Sequence, residues 1–402
     1  MDTKAETKTR GEVKAITGNI ATAHAVRLCK PDVVGIYPVT PASAVAEYLA
    51  QFKADGLMDA EIVEVEGETS SMGTLIGASA AGGRTFTATS GAGLAFMFDS
   101  LLCPPALRLP MVMVNVNREH NPPLIPVAGF QDIMSVKDAG WVQIHVETVQ
   151  EILDSIIMAF RLSEDPNILL PIIVSYDGFF LSHLMERVEV PCQEDVDRFL
   201  PPASQSNRPA LDPEGNFSLF TAAFGEWGME YRYKHAAALN RVKTRIGEIE
   251  EEFKAIFGRS YGGQIEEYRS QDAEIVLLAI GSSVGTAKAI VDKKRDEGLK
   301  VGVIKIRLFR PFPRERLAQA VQGKKAIGVI DRSVLYGWNC GDLFMESKTA
   351  ISDLGYSIPM ADFISGICDI DTTLEQVERA VDITYQASQG KPFKEVTWLP
   401  LE

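Results

Sequence analysis

From Gly18 to Asp177 short apolar runs alternate with stretches of helical periodicity. That order admits few folds, and the simplest is a mostly parallel sheet with helices on both faces. Strands are predicted over Val33–Ile36, Ile62–Val65, Thr85–Thr89, Pro110–Asn117 and Ile168–Ser175. The 110–117 run is almost wholly apolar, as a strand covered on both faces must be. Helices are predicted over Gly18–Val26, Pro41–Phe52, Ser71–Ala81, from the Ser90–Gly93 turn through Leu102, and over Val149–Leu162. In the 41–52 helix, Val45, Tyr48, Leu49 and Phe52 share one face. Helix 71–81 is built from small residues, which allow close approach to a neighbour or a cofactor.

The Tyr37-Pro38-Val39-Thr40-Pro41-Ala42-Ser43 turn joins the first strand to its helix. Thr40 stands where an N-cap belongs and Pro41 at the first helical position. Such a turn places free N–H groups and a hydroxyl at the carboxyl edge of a sheet, where α/β proteins hold small anions. By itself it reads as a well-capped helix. Ser90 and Arg118 are predicted at two other strand ends on the same edge, and Glu68 follows a fourth. The convergence makes that edge the candidate site.

Residues 189 to about 215 are proline-rich and polar, and read as a linker. Tyr231–Phe257 is a long charged helix whose Leu239, Val242, Ile246, Ile249, Phe253 and Ile256 form a heptad-like stripe. It reads as an amphipathic connector or a subunit contact. A second α/β unit starts at Ala273. Its strands are predicted over Glu274–Ile280, Val301–Leu308 and Ala326–Asp331. Helices are predicted over Thr286–Glu297, after Pro313, after Gly341 and over Leu374–Tyr385. The Gly281–Gly285 turn lacks Gly-x-Gly-x-x-Gly and a following acid, so it reads as a structural turn. The expected division is an α/β domain over 1–200, a linker with the long helix over 201–270, a second α/β domain over 271–388, and a tail over 389–402.

The net charge of −14 argues against nucleic-acid and membrane-surface partners. Met1–Lys14 is polar and is no signal peptide, and no apolar stretch is long enough to span a bilayer. A cytoplasmic protein is expected. The five cysteines are scattered, so no iron–sulfur or zinc motif is present, and they read as small core residues. The five histidines show no metal-ligand spacing. There is no Walker A motif, no Gly-x-Ser-x-Gly and no short repeat.

Tyr37-Pro38-Val39-Thr40-Pro41 resembles the Tyr-Pro-Ile-Thr-Pro signature of the thiamine-diphosphate-dependent 2-oxoacid:ferredoxin oxidoreductases. The resemblance continues through Glu66-Gly67-Glu68-Thr69-Ser70, Thr85 to Gly93, Val114 to Arg118, Asp177-Gly178-Phe179 and Leu308-Phe309-Arg310-Pro311-Phe312-Pro313. It covers Gly18 to about Tyr385. The chain is similar to the α subunit of the multi-subunit forms, which joins a pyrimidine-binding domain to a transketolase-C-like domain. The fold implied is two open, mostly parallel sheets flanked by helices.

The resemblance implies roles residue by residue. Thr40 would contact the 2-oxoacid, with Pro38, Ser90 and Gly91 beside it. Arg118 would pair with the substrate carboxylate, a task that suits a planar guanidinium. Glu68 would bond the aminopyrimidine ring of thiamine diphosphate, with Thr89 and Ser90 close to the cofactor. Glu64 and Glu66 read as belonging to the strand and its solvated end. The implied reaction is oxidative decarboxylation of a 2-oxoacid to an acyl-CoA and carbon dioxide, with electrons passed to iron–sulfur clusters and coenzyme A as co-substrate.

No Gly-Asp-Gly…Asn metal–diphosphate motif and no cluster cysteines stand in this chain. The resemblance therefore implies a β subunit holding the diphosphate, Mg²⁺ and a cluster, with a γ and a ferredoxin-like δ subunit. The final acceptor would be an electron-acceptor protein or a further redox subunit. Pyruvate-specific relatives carry Ser-Gln-Gly where this chain has Ser90-Gly91-Ala92-Gly93, and differ at Glu119-His120-Asn121. The loss of the glutamine points to a substrate bulkier than pyruvate, such as the aryl 2-oxoacid phenylglyoxylate. A pyruvate-specific subunit and a non-redox thiamine-dependent decarboxylase or synthase are the alternatives.

Overall fold

The computed structural model describes residues 11–401 except 122, 204–209, 213, 217, 353, 354 and 356. In chain order its elements begin β1 (Glu12–Ile16), α1 (Gly18–Cys29), β2 (Val33–Ile36), α2 (Ser43–Ala54), β3 (Glu61–Glu64), α3 (Glu68–Ala80) and β4 (Thr85–Thr89). Then come α4 (Ala92–Phe96), α5 (Phe98–Leu101), α6 (Cys103–Leu107), β5 (Val112–Asn117), α7 (Gln131–Ser135), β6 (Val142–His145), α8 (Val149–Ser163) and β7 (Ile172–Asp177). α9 (Phe180–His183), β8 (Glu186–Val190), α10 (Gln193–Phe199) and α11 (Glu226–Phe257) lead to the second unit. That unit holds β9 (Ile265–Tyr268), β10 (Ile275–Ala279), α12 (Ser283–Asp296), β11 (Val301–Ile306), β12 (Leu308–Arg310), α13 (Arg314–Ala320), β13 (Ala326–Asp331), α14 (Asp342–Ile351), β14 (Met360–Ile364), α15 (Leu374–Ser388) and β15 (Val396–Trp398).

Two sheets carry the fold. The first runs β12-β6-β7-β5-β4-β2-β3 and the second β15-β14-β13-β10-β11-β9. All neighbours pair in parallel except β12 on β6 and β9 on β11. A separate antiparallel pair joins β1 to β8. The two open, mostly parallel sheets expected from the sequence are present. One apolar core runs from Met113 and Ile173 of the first sheet, with Trp141 just ahead of β6, to Val276, Ile304 and Val329 of the second.

Several predicted elements change. Residues 12–14, read as polar leader, belong to β1. The single helix expected to run from the Ser90 turn through Leu102 is replaced by two short ones, α4 and α5, with α6 following. Pro104 and Pro105, at the start of α6, lack the N–H groups that would continue α5 into it. The strand predicted from Ile168 starts at Ile172. Leu169 takes a left-handed backbone at φ 46°, and its N–H turns back to Asp165 O at 2.9 Å. Part of the linker read over 189–215 is folded as β8 and α10, and its Pro209 and Pro213 lie outside the described residues. β6, β9, β14 and β15 are additions; β9 lies in the stretch read as a linker and β15 in the stretch read as a tail. The run predicted over 301–308 divides: β11 stays in the second sheet, whereas β12 crosses to the edge of the first.

The stripe on α11 buries Val242, Ile246, Ile249 and Phe253 within this chain's own core, and Phe199 of α10 meets the Phe253 ring edge-on at 5.3 Å. It is a connector, and its subunit-contact alternative is set aside for these residues. Glu151 of α8 anchors the second unit to the first. Its carboxylate receives Lys305 Nζ at 2.5 Å and Arg307 Nε at 3.0 Å, and Arg307 Nη1 reaches Glu250 of α11 at 3.3 Å. Burial alone would raise this carboxyl, but the two cations hold it below the usual range.

A different buried pair sits at the ends of β13 and β14. Asp331 accepts from Leu343 N at 2.9 Å and Phe344 N at 2.8 Å, and Asp362 accepts from Gly341 N at 2.7 Å. Burial pushes Asp362 up to about 7, and burial together with the Asp362 charge lifts Asp331 well above the carboxylate range. A carboxyl raised in the folded state stabilises fully below its unfolded pKa, and that stability is lost as pH rises through the folded pKa. The melting temperature is therefore expected to fall by several degrees between pH 5 and 8. Asp362→Asn, which removes one of the two titrations and the charge that lifts Asp331, should flatten that slope. Equal slopes for the two proteins in thermal melts would refute the assignment.

Candidate active site

The parallel strands β3, β2, β4, β5 and β7 all end on one edge. The connection from β2 leads to β3 on one side, while β4 lies on the other, so the edge between β2 and β4 is the switch point of the sheet. The turns that follow these strands carry the candidate residues.

After β2 the chain does not enter its helix at Pro41. α2 starts at Ser43, and its N-cap is Ala42, without a side-chain cap. Ala42 N bonds Val39 O at 2.7 Å, and the Thr40–Pro41 peptide is cis. Thr40 is therefore not an N-cap: a tight turn intervenes between strand and helix. Thr40 is exposed, and its carbonyl oxygen accepts from Arg118 Nη1 at 2.9 Å. Pro38 is exposed and lines a shallow crevice with Tyr37, Ala42, Val45 and Ala88. On α2, Val45, Leu49 and Phe52 are buried, whereas Tyr48, placed on the same face, is exposed.

Arg118 follows β5 and is buried. Across from it, Ser90 Oγ donates to Val116 O at 2.6 Å, tying the end of β4 to β5. Gly91 takes φ 51°, a region that favours glycine. A Cβ there would lie 2.9 Å from Arg118 Cδ and 3.0 Å from its Nε, so the arginine stem rests directly on the turn. Arg118 Nε is buried and has no protein partner among the described residues.

Glu68 opens α3, where an acid suits the positive end of the helix. It is only 7% exposed, whereas Glu64 and Glu66 are exposed. A Cβ on Gly93 would strike Glu68 Oε1 and lie 2.7 Å from Thr89 Oγ1. Glycine at 93 therefore lets the Glu68 carboxyl and the Thr89 hydroxyl both sit against the turn. Thr89 Oγ1 is buried without a partner among the described residues. The small residues of α3 also serve the sheet, since a Cβ on Gly35 of β2 would lie 2.8 Å from Ser71 Oγ.

The structure thus gathers two clusters, Glu68–Thr89–Gly93 and Thr40–Gly91–Arg118, joined by the 90–93 turn. It adds one acid that sequence reasoning missed, Asp132, and buries Glu119, of the 119–121 stretch singled out from the sequence, within reach of its charge. Asp132 of α7 is fully buried. Its Oδ2 accepts from Gly91 N at 2.9 Å, Arg118 N at 3.1 Å and Asn115 Nδ2 at 2.9 Å, and its Oδ1 accepts from Ile133 N at 2.8 Å. Burial pushes it up to about 6 despite these donors. Glu119 is buried too, raised to about 7 by burial and by the Asp132 charge, with Arg332 pulling the other way. It occupies the space that a side chain at Gly129 would need. The available signal was a single acid, Asp132, set among Phe130, Ile133 and Met134.

The second unit closes one side. Asp177, at the end of β7, accepts from Ser282 N at 3.0 Å and is ion-paired with Arg332. Arg332 Nη1 donates to Ser282 Oγ at 3.1 Å, and its guanidinium lies 4.8 Å from the Phe130 ring centre. A cavity of about 420 Å³ opens there, walled by Gly178, Phe179, Ser282, Arg332, Gly366 and Thr373. The Asp177-Gly178-Phe179 stretch therefore belongs to the junction between the units.

Residues 24–251 match the family described as pyruvate flavodoxin/ferredoxin oxidoreductase, thiamine diphosphate-binding, and residues 273–377 match pyruvate:ferredoxin oxidoreductase core domain II. The α subunit of NADH-dependent phenylglyoxylate dehydrogenase from Aromatoleum evansii is 40% identical over 379 residues, 93% of this chain and 91% of that protein. Pyruvate synthase subunit PorA from Methanothermobacter thermautotrophicus is 41% identical over 390 residues, 97% of this chain and 98% of that protein. Among solved structures, a 2-oxoglutarate:ferredoxin oxidoreductase from Magnetococcus marinus, with 2-oxoglutarate, coenzyme A and succinyl-CoA bound, superposes with a TM-score of 0.71 at 21% identity, covering 92% of this chain and 65% of that one.

Proposed function

The chain belongs to the pyruvate flavodoxin/ferredoxin oxidoreductase family, and on that premise we propose that it is the α subunit of a multi-subunit 2-oxoacid:acceptor oxidoreductase. The reaction is oxidative decarboxylation of a 2-oxoacid to an acyl-CoA and carbon dioxide. One observation carries the reading: a buried guanidinium, Arg118, and a buried carboxyl, Glu68, stand on either side of one short turn at the switch point of the sheet.

The residues present fit thiamine diphosphate. The buried Glu68 carboxyl rests against Gly93, and the unpartnered Thr89 hydroxyl lies against the same glycine. Together they suit the edge of a flat ring that both donates and accepts. When bound, the cofactor would supply the nucleophilic carbon that attacks the keto group and the electron sink that lets carbon dioxide leave. Glu68 would hold and exchange a proton at a pyrimidine nitrogen. Arg118 would pair with the substrate carboxylate, and the Thr40 turn, with Pro38, Ser90 and Gly91, would wall that carboxylate.

A β subunit would hold the diphosphate, Mg²⁺ and a cluster, and γ and ferredoxin-like δ subunits would complete the complex. A ferredoxin-type protein or a further redox subunit would take the electrons. No helix among the described residues is long and apolar enough to cross a membrane, and we place the complex in the cytoplasm. The division near residues 200 and 270 is retained as the domain proposal, with β9 and β15 joined to the second domain and β12 lent to the first sheet.

The substrate is proposed to be bulkier than pyruvate. Between Glu68 and Arg118 the 91–93 turn bears nothing larger than the Ala92 methyl. Relatives at 40% and 41% identity bear the names of an aryl-2-oxoacid enzyme and of a pyruvate enzyme, so the turn and not the identity favours the larger substrate. The deciding experiment purifies the complex with its native partners. Viologen dye reduction is then assayed with coenzyme A and pyruvate, a branched 2-oxoacid or phenylglyoxylate. Faster reduction with the bulkier acids supports the proposal, and turnover dominated by pyruvate refutes it. Carbon dioxide and aldehyde without dye reduction would assign the chain to a non-redox decarboxylase.

A further inference from the structure

Asp132 is bonded to both sides of the substrate wall. β4 and β5 pair from Phe86↔Val112 to Thr89↔Asn115, and the ladder ends there. Gly91 and Arg118 lie beyond the last rung, where no strand pairing fixes their spacing. Asp132 Oδ2 takes its place, receiving the backbone N–H of Gly91 at 2.9 Å and that of Arg118 at 3.1 Å. Asn115, on the last rung, adds a third donor at 2.9 Å. The acid is itself held, since Ile133 N donates to Oδ1 at 2.8 Å and Ser135 Oγ donates to its carbonyl at 2.7 Å.

We propose that Asp132 is a positioning residue for substrate recognition: it clamps the Gly91 turn against Arg118 and so fixes the guanidinium that receives the 2-oxoacid carboxylate. The inference rests on the reading of Arg118 given above. Its physical basis is the contact between the Gly91 backbone and the Arg118 stem. With Gly91 lacking a Cβ, the stem lies against the turn, and a small separation of the two backbones displaces the guanidinium by at least as much. A buried carboxylate with several donors is rigid because each bond it loses leaves a desolvated N–H behind.

Asp132→Asn keeps the volume but replaces one acceptor oxygen by a donor amide and removes the charge. In the native complex, its KM for the faster of pyruvate and phenylglyoxylate should rise about tenfold, the cost of one charge-assisted hydrogen bond. KM for coenzyme A should stay unchanged, and kcat should change little. The inhibition constant of the matching unreactive 2-hydroxy acid, lactate or mandelate, should rise in parallel. A purely structural role predicts less assembled complex with wild-type KM and inhibition constant per active site, and that result would overturn the proposal. If Asp132→Asn fails to assemble, Asn115→Ala removes one donor from the same oxygen. A raised inhibition constant supports the clamp, and an unchanged one overturns it. A wild-type complex inert toward every 2-oxoacid sinks the functional reading together with this one. Failure of the clamp alone shows an active wild type whose constants the variants share.

Discussion

Glutamine in place of Glu68 is expected to lower dye reduction by the assembled complex roughly 10²–10⁴-fold, the usual contribution of a positioned acid–base group. The side chain is buried in the first turn of α3, with its carboxyl against Gly93. Glutamine has the same length and branching, so packing is preserved. It also keeps one oxygen acceptor. What it loses is the ability to take up and release a proton, so the deficit should fall on kcat and leave KM for coenzyme A unchanged. Bound thiamine diphosphate, measured by fluorescence after oxidation to thiochrome, separates lost chemistry from lost cofactor. A chain that merely scaffolds the complex would keep nearly all activity with glutamine at 68, and that outcome would remove Glu68 from the mechanism.

The strand ends that build this site were legible because each is an apolar run stopped by a breaker. Val33–Ile36 and Thr85–Thr89 occur with the predicted bounds, and Gly35 and Phe86 are fully interior to the sheet. The start of α2 was misplaced because Thr followed by Pro is an ordinary helix entry, whereas here the pair forms a cis turn and Thr40 is spent on Arg118. Edge strands escaped for another reason. β1 and β8 alternate apolar residues with Glu12, Lys14, Arg187 and Glu189, a pattern that reads as polar when only one face is covered. The transfer of β12 to the first sheet leaves no mark on periodicity, because the same apolar run serves either sheet. Asp132 stood out only as an acid among apolar residues, and its role was not legible. Its partners Gly91, Asn115 and Arg118 come to it only through the pairing of β4 with β5, and nothing local in the sequence shows that adjacency.

Lysine in place of Arg118 is expected to lower kcat/KM for the 2-oxoacid about 10- to 100-fold, through KM, as the loss of one charge-assisted hydrogen bond predicts. The guanidinium has two tasks. Nη1 is engaged by the Thr40 carbonyl at 2.9 Å, while Nε is buried and lacks a protein partner among the described residues. A planar fork can satisfy the turn with one nitrogen and still present others to a carboxylate. A lysine ammonium is a single centre that keeps the charge but must choose between the carbonyl and the substrate. If it takes the substrate, the Thr40 carbonyl is left unpaired and the turn loosens. If it takes the carbonyl, the carboxylate is held by charge alone. Either choice weakens substrate binding and leaves coenzyme A kinetics and the amount of assembled complex unchanged. The measurement is the pair of KM values in the native complex, with the bound quantity of partner subunits as control. Wild-type KM for the 2-oxoacid in Arg118→Lys would show that charge alone suffices. Loss of the partner subunits instead would make Arg118 an assembly residue, with the carboxylate held elsewhere.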